Sequence, residues 1–279
     1  MRRTGSVSNS ISFIKYALNF LMNNKDLMIF PFISILASLS FIALGITGGA
    51  ILFETLSQLQ QTGIIIGVAL LILAYFILSF IIIFFSASLY ACTLGRLSGQ
   101  IVTLRAGMLL ASKHWQSLLG WSIVSTTVGL VLQALENLHN TIADIISFIL
   151  GISWSVTTYF VLPTLILNDV GPIKAIKQAG AVFGKGWRKT IRVNFILSFI
   201  MMIIVGLIYL VVHYTSTKNI VFDEIMGLII GVTFILLIIL NGVFNCIITS
   251  GLYLSIVKKQ DLPGLEKALV ESAFCIKKK

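Results

Sequence analysis

Six apolar runs, each long enough to cross a bilayer, leave this chain little choice of fold. A hydrocarbon core about 30 Å thick takes roughly 20 residues of helix. No water is present there to bond the backbone, so each run must satisfy its own amides, which a helix does. The runs cover 27–53, 63–91, 117–135, 145–167, 193–213 and 225–257. Pro31 falls near the start of the first, where a proline is tolerated, and Pro163 falls near the end of the fourth. The second run has 29 residues and would be about 43 Å long, so it must tilt or project from the bilayer. Twenty-six residues precede the first run, more than the charged head of a secretory signal, so that run is expected to be retained.

Direction follows from charge. Nineteen of the twenty Lys and Arg residues lie in alternate gaps between the runs. Arg2, Arg3, Lys15 and Lys25 precede the first run, and Arg96, Arg105 and Lys113 follow the second. Lys174, Lys177, Lys185, Arg188, Lys189 and Arg192 follow the fourth. Lys258, Lys259, Lys267, Lys277, Lys278 and Lys279 belong to the tail, 258–279. The remaining gaps carry Glu54, Glu136, Asp144, Asp223 and Glu224, with Lys218 their one base. Basic loops stay on the cytoplasmic side, which puts both termini in the cytoplasm and fixes an even number of spans. A chain that is 57% hydrophobic and 11% charged cannot hide its apolar surface in a water-soluble core. The net charge of +10 lies beside the spans, which favours anionic lipid headgroups over nucleic acid as the partner. A membrane or cytoplasmic protein partner fits the same charges.

The basic gaps themselves have helical periodicity. Ile173, Ile176, Gly180, Phe183, Trp187 and Ile191 recur at three or four residues, against Lys174, Lys177, Lys185, Arg188 and Arg192. Leu97, Ile101, Leu104, Met108, Ala111 and Trp115 do so against Ser98, Arg105 and Ser112. Val7, Ile11, Ile14, Leu18 and Leu21 face away from Ser8, Ser12, Lys15 and Asn19. Such stripes suit a helix lying in the headgroup plane, or one packed on the protein's own spans. Aligning Trp115 with Trp187 also aligns Arg105 with Lys177 and Lys113 with Lys185. The unit is an interfacial helix followed by a membrane hairpin, used three times. The expected fold is thus an all-α integral membrane protein, a single polytopic domain over 1–279 with six transmembrane helices in three hairpins, each preceded by a cytoplasmic amphipathic helix.

Chemistry is harder to find. No Asp, Glu, Lys or Arg lies in the central part of any run, where one would mark a proton or ion path. Nucleotide, hydrolase and zinc-protease motifs are missing, and His114, His139 and His213 are scattered. No catalytic residue, cofactor or metal is assigned. Cys92, Cys246 and Cys275 include no outward-facing pair for a disulfide, and Cys92 reads as an inert thiol or an acylation site. Uncharged polar residues do recur at helical spacing: Ser122, Thr126, Gly129 and Gln133, then Ser147, Gly151, Ser155 and Thr158. Asn194, Ser198 and Tyr209 follow on the fifth run, and Asn241, Asn245 and Thr249 on the sixth. They are read as facing the bundle interior, as helix packing or as a polar path, with Asn194, Asn241, Asn245 and Gln133 the candidates. Lys174, Lys177, Lys185, Arg188, Arg105 and Lys113 are the candidate headgroup contacts.

The stretch from Trp154 through Pro163 to the Lys174–Trp187 helix, with the matching Ala106–Trp115 helix, resembles a family of uncharacterised prokaryotic six-span membrane proteins, a domain of unknown function. More distantly it is similar to the membrane domain of glycerophosphodiester phosphodiesterases. The resemblance implies the fold and a cell-membrane location, and it carries no catalytic residues across. The expected role is a non-enzymatic scaffold or accessory component; the alternative is a permease or exporter for a neutral or lipid-like solute.

Overall fold

A computed structural model describes residues 4–57, 60–138, 141–182, 199, 202–210 and 220–258. Helix α1 spans Thr4–Asn23, and a short 3-10 turn, Lys25–Met28, leads into α2, Ile29–Ser57. Helix α3 is Gln60–Leu97, α4 Leu104–Lys113, α5 Trp115–Glu136, α6 Thr141–Thr158 and α7 Val161–Asn168. Helix α8 covers 172–182, and residues 202–210 are helical too. Helix α9, Ile220–Tyr253, ends in a π-turn, Leu254–Lys258. The described residues contain no strand.

Five stretches are long and apolar enough to cross a membrane: Lys25–Gly49, Thr62–Leu97, Trp115–Glu136, Thr141–Asn168 and Glu224–Lys258. They fall on five of the six expected runs. The remaining run, 193–213, lies outside the described residues except for 199 and 202–210. In none of these stretches is more than 22% of the most apolar window buried. Their apolar side chains therefore face outward, an arrangement compatible with a multi-pass membrane protein and costly in water.

The chain divides into two compact units. The first holds Met1–Met28, Leu97–Gly99 and Lys185–Lys279, the second Ile29–Arg96 and Gln100–Gly184. In the first, α1 and the 3-10 turn pack on α9. Ala17, Leu21 and Leu27 are buried there, whereas Leu18, expected on the apolar stripe, is 45% exposed. The buried side chains of α9 gather toward its C-terminal end, from Val243 to Tyr253.

The second unit is built on an α5–α6 hairpin, in which Trp121 stacks on Trp154 with ring centroids 5.8 Å apart. Span four is broken rather than continuous. Pro163 has no N–H and its ring crowds the carbonyl of Tyr159, so α6 ends at Thr158 and α7 restarts at Val161. The hydroxyl of Thr164 then donates to the Phe160 carbonyl at 2.7 Å. Helix α3 has 38 residues and is about 57 Å long. Its buried side chains in this unit, from Ala87 to Leu94, collect toward the C-terminal end, where Ser88 and Cys92 meet α4.

Candidate functional site

The sequence folds into a tight elbow where α3 ends. Gly99 takes φ +82°, and the amide of Gln100 bonds back to the Gly95 carbonyl at 3.0 Å, a glycine-terminated helix cap. Residues 98–103 are therefore not helical, which corrects the expected continuous stripe from Leu97 to Trp115; Ile101 is fully exposed. Two side chains of α3 hold the turn down. Arg96 Nε donates to the Val102 carbonyl at 2.9 Å, and Cys92 Sγ to the Thr103 carbonyl at 3.4 Å. Thr103 then caps α4, its Oγ1 accepting from the Ala106 amide at 3.2 Å. Cys92 is completely buried in this elbow, so the acylation alternative has no accessible thiol to act on.

Helix α4 lies against α3 through small residues. Gly107 and Ala111 are buried, and a Cβ on Gly107 would collide with Cys92 Sγ and lie 3.0 Å from the Ser88 carbonyl oxygen. Helix α8 repeats this plan. Ala175 and Ala179 are buried, and the Ala175 amide bonds the Gly171 carbonyl at 3.0 Å, as Gly107 bonds Thr103 at 3.0 Å. The two helices therefore match with Leu104 beside Pro172, one helical turn away from the register that aligns Trp115 with Trp187; Trp187 itself lies outside the described residues. A slip of four residues leaves a helical pattern in phase, so periodicity alone does not detect it. The stripe also turns. Ile173, expected on the apolar face of α8, is 67% exposed, because the small residues take the inner face.

One side-chain contact brings α4 and α8 to the same end of this unit. His114 Nδ1, at the joint between α4 and α5, lies 2.9 Å from Asp169 Oδ1. Asp169 follows α7 in a left-handed conformation, φ 47°, three residues before α8. The C-terminus of α4 and the N-terminus of α8 thus adjoin, and Pro172 sits 3.1 Å from where a Cβ of Gly120 would be. Asn168 Nδ2 donates to Gln178 Oε1 at 2.9 Å, tying α7 to α8. Neither His114 nor Asp169 stands out in the sequence; residues 55 apart show no local signal that they meet.

Of the candidate headgroup contacts, Arg105, Lys113, Lys174 and Lys177 are all exposed on these two helices, and Lys185 and Arg188 lie outside the described residues. Neither α4 nor α8 carries an acidic residue. Of the polar candidates, Asn241 and Asn245 are half-buried on α9 and bonded to each other, Asn245 Nδ2 donating to Asn241 Oδ1 at 3.1 Å. Gln133 is exposed near the end of α5, and Asn194 lies outside the described residues. Ser122 and Ser147 are buried but turn their hydroxyls onto their own helices, bonding the carbonyls of Leu119 and Asp144 at 2.8 and 3.0 Å. Ser155, read as part of that interior stripe, is exposed. Thr126 Oγ1 is buried with no protein partner among the described residues.

The fold defines an all-helical protein with several helices fit to cross a membrane. Residues 65–265 match the family of unknown function DUF6159, and the chain belongs to that family. No curated protein and no solved structure matches it.

Proposed function

We propose that this is a non-enzymatic, multi-pass protein of the cell membrane with both termini in the cytoplasm. It works as a scaffold or accessory component, and its basic elbow binds anionic lipid headgroups. The observation that carries this reading is the juxtaposition of Arg105, Lys113, Lys174 and Lys177, all exposed, on two adjoining helices without an acidic residue. A basic side chain near an anionic surface is worth about 1 kcal/mol, or roughly fivefold in affinity. Converting the four to Gln should lower the retention of phosphatidylglycerol over phosphatidylcholine, measured by native mass spectrometry, by several-fold per charge. Unchanged retention would overturn the reading.

The alternative, a permease or exporter for a neutral or lipid-like solute, draws on the polar residues of the helices, Thr126 above all. Against it, the neighbouring hydroxyls bond their own helix carbonyls and Asn245 donates to Asn241 one turn away, which suits packing. Asn241→Leu with Asn245→Leu would abolish transport if a path runs there; a loss of stability alone would favour packing.

A further inference from the structure

We infer that the outer faces of α4 and α8 bind whole anionic diacyl lipids, headgroup and chain together, with Leu109 and Ile173 entering the acyl region beside the cations of each helix. This rests on the headgroup reading above and adds the chain contact to it.

Both helices spend their small residues inward and leave a large aliphatic outward, the reverse of a water-soluble surface helix. On α4 the exposed row is Arg105, Leu109 and Lys113, one turn apart each, with Leu109 54% exposed. The two cations stand about 12 Å apart along the axis with the leucine midway. On α8, Ile173 is 67% exposed, with Lys174 beside it and Lys177 one turn on. Trp115, at the entry to α5, is 51% exposed at the same end, as suits a ring at headgroup depth. Each face thus offers two cations beside one aliphatic, flanking it on α4 and following it on α8. A surface that met only water or only phosphate would have no use for the aliphatic. An anionic lipid uses both parts, the phosphate on the cations and the upper chain on the leucine or isoleucine. The long stems of Lys and Arg let the charge stay at the headgroup while the backbone lies lower. The charge complementarity is one-sided: α4 and α8 carry no acid, and Asp169, beside them among the described residues, lies 2.9 Å from His114 Nδ1.

The test places a nitroxide at Leu109→Cys and at Ile173→Cys in a Cys275→Ser background, the other cysteines being buried. Leu71→Cys on α3, 73% exposed in an apolar stretch, is the lipid-facing reference. The full chain is reconstituted in vesicles of phosphatidylcholine with phosphatidylglycerol, and collision rates are read with oxygen and with a water-soluble nickel complex. Both probes should favour oxygen, as at position 71 but shallower. Collisions dominated by nickel would mean that the faces stand in water, and shielding from both reagents would mean a protein cover; either overturns the inference. The two levels fail separately. Aqueous probes with lipid selection still lost in the four-Gln variant would remove the chain contact and keep the headgroup reading. Inserted probes with selection unchanged would remove the headgroup reading instead.

Discussion

Gly107 is the residue on which the elbow turns. Its missing Cβ lets α4 come down onto Ser88 and Cys92, and the obstacle at Ser88 is backbone, which cannot swing aside. Gly107→Ala gains about 1 kcal/mol in helix propensity but pushes the two helices apart, an overpacking cost of about 1–3 kcal/mol. The expected outcome is a lower melting temperature in detergent and a Cys92 that now reacts with maleimide. Gly129→Ala on α5, where a Cβ meets nothing within 4 Å, should be neutral or stabilising. Tyr16 offers a pH test. Burial raises its pKa above the ordinary 10.0, since the fold disfavours the phenolate. Its contribution to stability is present in full below pH 10, where the unfolded chain is also neutral, and is lost as pH rises through the folded value. In Tyr16→Phe the phenolate absorbance titration should lose a component that lies above the ordinary tyrosine range.

At the scale of elements, α4 has ten residues, too few to hold a helix alone, so its ends and its packing decide whether it exists. Thr103→Ala removes the cap on the Ala106 amide and should cost about 1 kcal/mol, read as faster hydrogen exchange across the first turn of α4. The amphipathic pattern of this helix and of α8 was legible in the sequence, but its direction was not. Periodicity marks a face without saying whether neighbouring helices or lipid will cover it. Gly107, Ala111, Ala175 and Ala179 win the inner face because close helix approach rewards small size over hydrophobicity. In the sequence 145–167 reads as one continuous span; the break at residues 159–160 follows from the clash of Pro163 with the i−4 carbonyl.

For the whole molecule, the proposed orientation predicts that reporter tags at Gln58 and at the C-terminus fall on opposite sides of the membrane; finding both on one side would sink the topology. The long apolar stretches could be found from sequence because hydropathy is summed over about 20 residues and needs no partner to be named. Arg105, Lys113, Lys174 and Lys177 could be picked out as cations beside apolar runs, and the structure adds that all four are exposed. Their assembly was not legible in the sequence. His114 meets Asp169 only because a left-handed residue after α7 and the buried small residues of two helices bring distant turns together. What composition settles is which solvent each segment can tolerate, since transfer free energy adds up residue by residue. What the tertiary structure settles is which side of each short helix looks outward, because that depends on the shape of a neighbour far away in the chain.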